Sequence, residues 1–142
     1  MSDEIYTELV IFSDTLIPDQ INTFLGMTCD KSRLKGDTIG RSIIRAKSNE
    51  WIIYSRVPRN TPLSNHIEDL LDRVSPVIEK IRNLVDRADI EVELNCVIYV
   101  ADSPAMFFTR EQVATIGKMG AGVDIDLYIL PKKRGRPKTK PA

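Results

Sequence analysis

This chain of 142 residues lacks nearly everything from which a catalytic centre is ordinarily assembled. It has one histidine, His66, so a multi-histidine metal site is excluded, and its position beside Glu68 and Asp69 suggests a helix-surface residue. Its two cysteines, Cys29 and Cys96, are isolated and have no metal-ligand spacing, which suits reduced core thiols. No apolar run approaches the ~20 residues of a membrane helix. The acidic start, Met1-Ser2-Asp3-Glu4, carries no secretory apolar segment. Gly117, Gly120 and Gly122 follow a helical stretch and precede a strand, the reverse of the order a phosphate loop needs. Asp124 and Asp126 share a strand face and have the chemistry of an acid/base or cation pair. Such spacing more commonly marks the wet side of an outer strand. No nucleophile stands beside a base and no internal repeat is evident. The expectation is a protein that is not an enzyme, with no catalytic residue, no metal and no cofactor.

Net charge is also lacking, with 20 basic against 20 acidic residues, but the balance is not uniform. All 20 acids lie in residues 1–130, against 14 bases, so the body is near −6 and the last twelve residues carry +6. That partition predicts a globular domain over 1–130 and a flexible, disordered basic tail over 131–142.

The tail reads Pro131-Lys132-Lys133-Arg134-Gly135-Arg136-Pro137-Lys138-Thr139-Lys140-Pro141-Ala142. The minor groove of DNA is only ~6 Å wide, and A-tracts narrow it further and deepen its negative potential. An extended peptide fits there if it lacks bulk where it meets the floor. Gly135 has no Cβ and permits that approach. Arg134 and Arg136 then spread along the groove toward adenine N3 and thymine O2, where a G·C pair would interpose its amino group. Pro137 holds the preceding residue extended. Lys132, Lys133, Lys138 and Lys140 are placed to meet phosphates.

The core Arg134-Gly135-Arg136-Pro137, with its flanking lysines, resembles the AT-hook, a short DNA-binding motif. The resemblance covers about a dozen residues and implies A·T-rich double-stranded DNA as partner. A basic tail also serves as a solvated arm that binds polyanions loosely, or as an import signal. One hook binds weakly, so the body is expected to oligomerise or to recruit a partner. The resulting expectation is a cytoplasmic, nucleoid-associated or transcription-modulating protein, encoded by a phage or mobile element. The alternative is a protein-binding module of inhibitor or immunity type whose tail is incidental.

In the body, hydrophobic residues make up 42% of the whole chain's composition, enough for one domain with a real core. A first strand is predicted over residues 5–12, with Ile5, Leu9 and Ile11 on one side. A helix follows from Pro18 through Leu25 and ends at Gly26. Residues 28–40 look like loop. Residues 41–47 and 51–57 look like a hairpin turning at Ser48-Asn49-Glu50. Ile67, Leu70, Leu71, Val74, Ile78, Ile81, Leu84 and Val85 form one helical stripe, with a kink at Pro76, across 64–87. Alternation after Asp89 gives a strand through Val100, with Glu91 and Glu93 facing water. Thr109 and Gln112 have the spacing of a capping box and open a helix to Lys118. A final strand over 123–130 is expected to turn Val123, Ile125, Leu127 and Ile129 inward, and Asp124, Asp126 and Tyr128 outward. The order β-α-β-β-α-β-α-β predicts a single α+β domain, with a mixed or antiparallel sheet and helices on one face.

Eight cations, Lys31, Arg33, Lys35, Arg41, Arg45, Lys47, Arg56 and Arg59, crowd a span holding only Asp37 and Glu50. Arg41, Arg45 and Lys47 share parity on the predicted strand and form a candidate second DNA patch. The plainer reading is a strand edge protected by charge.

The body also resembles the bacterial domain-of-unknown-function family 4279. The residues carrying this are Leu25-Gly26, Lys35-Gly36-Asp37, Trp51, the amphipathic helix after it, and Ile116-Gly117 through Val123-Asp124-Ile125-Asp126-Leu127-Tyr128. They span most of residues 5–130. The resemblance implies an α+β fold and a bacterial or phage source, and no activity. The basic tail is not part of the family pattern.

Overall fold

Period-two and period-3.6 patterning become strands and helices in the computed structural model, which describes residues 3–87 and 89–131. The order is β1 (Glu4–Ser13), α1 (Pro18–Leu25), β2 (Lys31–Arg33), β3 (Asn49–Tyr54), α2 (Leu63–Val74), a 3-10 turn (Ser75–Val77), α3 (Ile78–Val85), β4 (Ile90–Val100), α4 (Arg110–Met119) and β5 (Gly122–Ile129). One sheet runs β2-β3-β1-β4-β5. The β1 strand is antiparallel to both β3 and β4, and β2 is antiparallel to β3. Among neighbouring strands of the described residues, only β4 and β5 run parallel. The sheet is therefore mixed, and the single domain is α+β. Its first four strands form a split βαβ arrangement, in which β3 lies between the parallel strands β1 and β2.

The helices cover one face of the sheet. On β1, alternation buries Ile5, Thr7, Leu9, Ile11 and Ser13 on that face. Trp51 and Ile53 of β3 and Leu94, Cys96 and Ile98 of β4 join them under Ile21, Ile67, Leu70, Ile81, Leu84 and Met119 of the helices. Each fully buried side chain of this size contributes about 1.5–3 kcal/mol relative to exposure. Trp51 satisfies its ring N–H on Asn22 Oδ1 at 2.7 Å, so its burial leaves no donor stranded. Burial pushes the Cys96 thiol up to about 12, and the like charge of Asp124 adds to the effect.

Local signals explain the helix boundaries. Gly26 and Gly120 end α1 and α4 in the left-handed conformation, at φ 68° and 75°. Thr109 Oγ1 accepts from Gln112 N–H and Gln112 Oε1 accepts from Thr109 N–H, both at 3.0 Å, which completes the predicted capping box. The long amphipathic stretch breaks at Pro76, which has no N–H to continue the helical ladder.

Three expectations are corrected. Residues 28–40 are not all loop, because Lys31–Arg33 form β2 and this short strand pairs with β3. Residues 41–47 are not a strand, and β3 begins at Asn49 inside the predicted turn. The neighbouring apolar pair Ile43 and Ile44 gives this stretch a strand-like composition, but both are exposed and face no second apolar surface. The excursion closes on itself instead, through a bridge between Thr38 and Arg45 and mutual backbone bonds that join Gly36 and Asp37 to Ala46. Finally, the apolar row of β5 is not buried: its partners Leu94, Cys96, Ile98 and Val100 place it on the helix-bearing side of the sheet, but it stays exposed. Val123, Ile125, Leu127 and Ile129 are 45%, 42%, 41% and 59% exposed. The β5 strand is the sheet edge, and α4 packs on α2 and α3 instead of over it.

Candidate functional site

The hook residues Lys132, Lys133, Arg134, Gly135, Arg136, Pro137, Lys138 and Lys140 lie outside the described residues. Arg41, Arg45 and Lys47 are exposed on the irregular excursion, not aligned on one strand face, and Arg45 donates to the Gly36 carbonyl at 3.0 Å. Strand parity cannot align side chains where no strand exists.

Other members of the cation-rich span do converge. Strand pairing turns Lys31 and Arg33 of β2, Tyr54 of β3, and Tyr6 and Glu8 of β1 to the sheet face that carries no helix. The segment after β3 brings Arg56 and Arg59 to the same place, tied down by Ile5 N–H donating to the Arg59 carbonyl at 2.7 Å. Together these side chains line a cleft of about 510 Å³. Its size falls within the roughly 300–1,000 Å³ of small-molecule sites.

The cleft is electrostatically composite. Arg59 lies over the Tyr6 ring, its Cζ 4.5 Å from the centroid, and pairs with Glu4 at 3.6 Å. Arg33 pairs with Glu50 at 3.3 Å. Arg56 reaches Asp30 at 3.2 Å, and Arg73 reaches the same carboxylate at 2.6 Å. Burial works against the charged form of Asp30, but hydrogen bonds from Arg73, the Tyr54 N–H and Arg56 hold its carboxyl below the usual range. Lys31 makes no ion pair among the described residues. Glu8 sits in the floor, where burial raises its carboxyl and a hydrogen bond from Asn95 opposes the rise. Burial, followed by the charge of Glu8, also raises the hydroxyls of Tyr6 and Tyr54. The sequence signal for Tyr6 and Glu8 was their parity opposite to Ile5, Leu9 and Ile11. Nothing in β1 alone revealed that Lys31, Arg56 and Arg59 would join them.

Behind the cleft, the end of β3 is fastened to α2. Ser55 Oγ and His66 Nδ1 are 2.7 Å apart, and Thr7 N–H donates to the same Oγ at 3.1 Å. Thr7 Oγ1 donates to the His66 carbonyl at 3.2 Å. His66 is wholly buried rather than on the helix surface. Its ring is sunk between α2 and the Ser55 segment because the α2 stripe is wider than the aliphatic residues suggest. The direction of the Ser55–His66 bond follows the imidazole tautomer, and Nε2 has no hydrogen-bond partner among the described residues. This pair has the elements of a nucleophile and a base. However, the Ser55 oxygen is engaged on both sides, and among the described residues no group makes a hydrogen bond of ordinary geometry to Nε2, although the Pro58 and Thr61 carbonyls lie near enough to act on the ring.

At the opposite edge of the open face, Glu91, Glu93, Asp124 and Asp126 gather. Burial raises the Glu93 carboxyl, and repulsion from Asp124, Glu91 and Asp126 adds to the rise. Among the described residues no group of His, Cys, Asp and Glu is arranged to hold a metal ion, and no helix is long and apolar enough to cross a membrane.

The fold and its surface thus define a small α+β domain with one helix-covered sheet face and one helix-free face that carries the charged cleft. Residues 3–130 match the family described as a domain of unknown function, DUF4279, and the chain belongs to that family. Comparison with curated proteins and with solved structures returned no match.

Proposed function

We propose that this protein binds A·T-rich double-stranded DNA without catalysing a reaction, through residues 132–140, and that its body supplies the valency one hook lacks. The observation that carries the reading is Arg134-Gly135-Arg136-Pro137 between lysines, in an acid-free stretch of +6 attached to a body near −6. A minor-groove contact by all six cations gives log K a slope of up to about −5 against log[salt].

The β5 edge supports self-association as the source of valency. Its outer backbone edge pairs with no strand among the described residues, and its apolar row is exposed. An antiparallel β5–β5 contact about a two-fold at Leu127 sets Ile125 opposite Ile129 and Asp126 opposite Tyr128, so the aspartates do not oppose one another. In that arrangement the two tails start about 27 Å apart, eight residues at ~3.4 Å each. A few extended residues on each side bridge the remaining distance to one helical turn of DNA, ~34–36 Å. Joining two weak hooks in this way raises their effective concentration.

The test is fluorescence anisotropy on A·T-rich and G·C-rich duplexes, with light scattering to give the oligomeric state. The expected result is a preference for A·T that disappears in Arg134→Ala/Arg136→Ala, and a dimer that Leu127→Lys converts to a monomer with weaker DNA binding. Equal affinity for both duplexes overturns the hook reading. A monomeric wild type that captures one stoichiometric partner, independently of residues 131–142, favours the protein-binding alternative.

A further inference from the structure

The cleft on the open sheet face is not used by the hook reading, and its chemistry is selective. A bare anion suits Lys31, Arg56 and Arg59 but is repelled by Glu8 in the floor. A cationic ligand suits Glu8 and is repelled by the rim. The matching ligand is anionic at one end, carries hydrogen-bond donors at the other, and has a flat surface for Tyr6 and Tyr54. A nucleotide has all three properties. Its base stacks on aromatic rings or on an arginine plane, and Arg59 over Tyr6 already forms such a layered surface. Its phosphate accepts charge-assisted bonds from arginine. The guanine edge offers adjacent N1 and N2 donors to one carboxylate, whereas adenine offers a single amino group beside an acceptor.

We propose that the cleft over Tyr6, Glu8 and Tyr54 is a nucleotide site that prefers guanine, with the base edge on Glu8 and the phosphate on Lys31, Arg56 and Arg59. The same chemistry is presented by a free nucleotide and by one nucleotide of a single strand. Arg56 and Arg59 have side chains 66% and 60% exposed, so their donors are open to a ligand despite the ion pairs to Asp30 and Glu4. The site does not depend on the tail.

The test is calorimetric titration of the full chain with GMP, AMP, inorganic phosphate, and a five-nucleotide thymidine strand carrying one central guanosine. The guanine ligands are expected to bind at least about ten-fold more tightly than phosphate, the scale of one stacked base. Arg56→Ala/Arg59→Ala is expected to lose roughly ten-fold or more, as for charge-assisted bonds. Lys31→Ala, on an exposed side chain, gives a smaller loss. Glu8→Gln is expected to abolish the preference for GMP over AMP while retaining binding, a change that mere loss of structure does not produce. Arg134→Ala/Arg136→Ala is expected to leave these affinities unchanged, which separates this site from the hook. Tighter binding of the strand than of GMP assigns the site to single-stranded nucleic acid, and the reverse assigns it to free nucleotide. Absence of heat with GMP and with the strand at millimolar concentration overturns the proposal. So does phosphate binding as tightly as GMP, or unchanged affinity in the Arg56/Arg59 variant when its melting curve is native.

Discussion

Acidification from pH 7.5 to pH 5.5 bears most directly on one group, because the chain has a single histidine and that residue is wholly buried. Burial lowers the pKa of His66, and the charge of Arg59 acts in the same direction. The carbonyls of Pro58 and Thr61 and the carboxylate of Asp69 oppose the fall without reversing it. The unfolded chain therefore takes up a proton near its ordinary value of about 6.5 while the folded chain resists it. Stability from this group is fully present above the unfolded value. It declines as pH falls through 6.5 and stops declining below the folded value. If the ring stays neutral throughout, the loss at pH 5.5 reaches an upper bound of about 1.4 kcal/mol, from RT ln(1 + 10). With a urea dependence of about 2 kcal/mol/M, the midpoint moves by up to about 0.7 M. Urea titrations at half-unit pH intervals measure the shift, and the imidazole Cε1 proton resonance reports the folded-state titration directly. Glu8 and Glu93, whose carboxyls are raised, act in the opposite sense, since they take up protons in the folded chain first. The comparison is therefore made against His66→Gln, which removes only the histidine contribution to the slope. A folded-state titration at or above 6.5, or identical slopes in wild type and variant, refutes the assignment of a buried neutral imidazole.

Two further perturbations test how the helices are held. Gln112→Ala removes the reciprocal cap of α4 and also the amide's bonds to the Ser64 carbonyl at 3.1 Å and Glu68 at 3.3 Å, so a loss of about 1–3 kcal/mol is expected by thermal denaturation. Gly26→Ala and Gly120→Ala both force an alanine into the left-handed region, at about 1–2 kcal/mol each. Only at Gly120 does the added Cβ meet Val85 Cγ1 at 3.0 Å and Arg82 Nη1 at 3.1 Å, so Gly120→Ala is expected to have the lower melting temperature.

Much of the fold was legible because its signals are local. The α1 boundaries, the capping box at Thr109, the break at Pro76 and the alternation of β4 depend on residues within a few positions of one another. Strand partnership was not legible. Composition made 41–47 look like the mate of β3, yet the mate is the three-residue stretch Lys31–Arg33, which is polar throughout. A strand this short and polar leaves no periodic trace, and β3 identifies it through backbone bonds that any sequence can make. His66 misled for a related reason. A lone polar residue beside two acids on a helix is usually outward, and only the approach of Ser55 from another element gives its ring a buried partner.

The amino-acid order by itself determined the α+β class, the helix ends, the family, and the contrast between an acidic body and a cationic tail, since each follows from composition or from neighbours in the chain. The tertiary structure alone decided that the β5 apolar row stays uncovered and that Tyr6, Glu8, Lys31, Arg56 and Arg59 share one cleft. The physical reason is that alternation divides a strand into two faces without saying which face a helix will cover, or which distant strand will lie alongside.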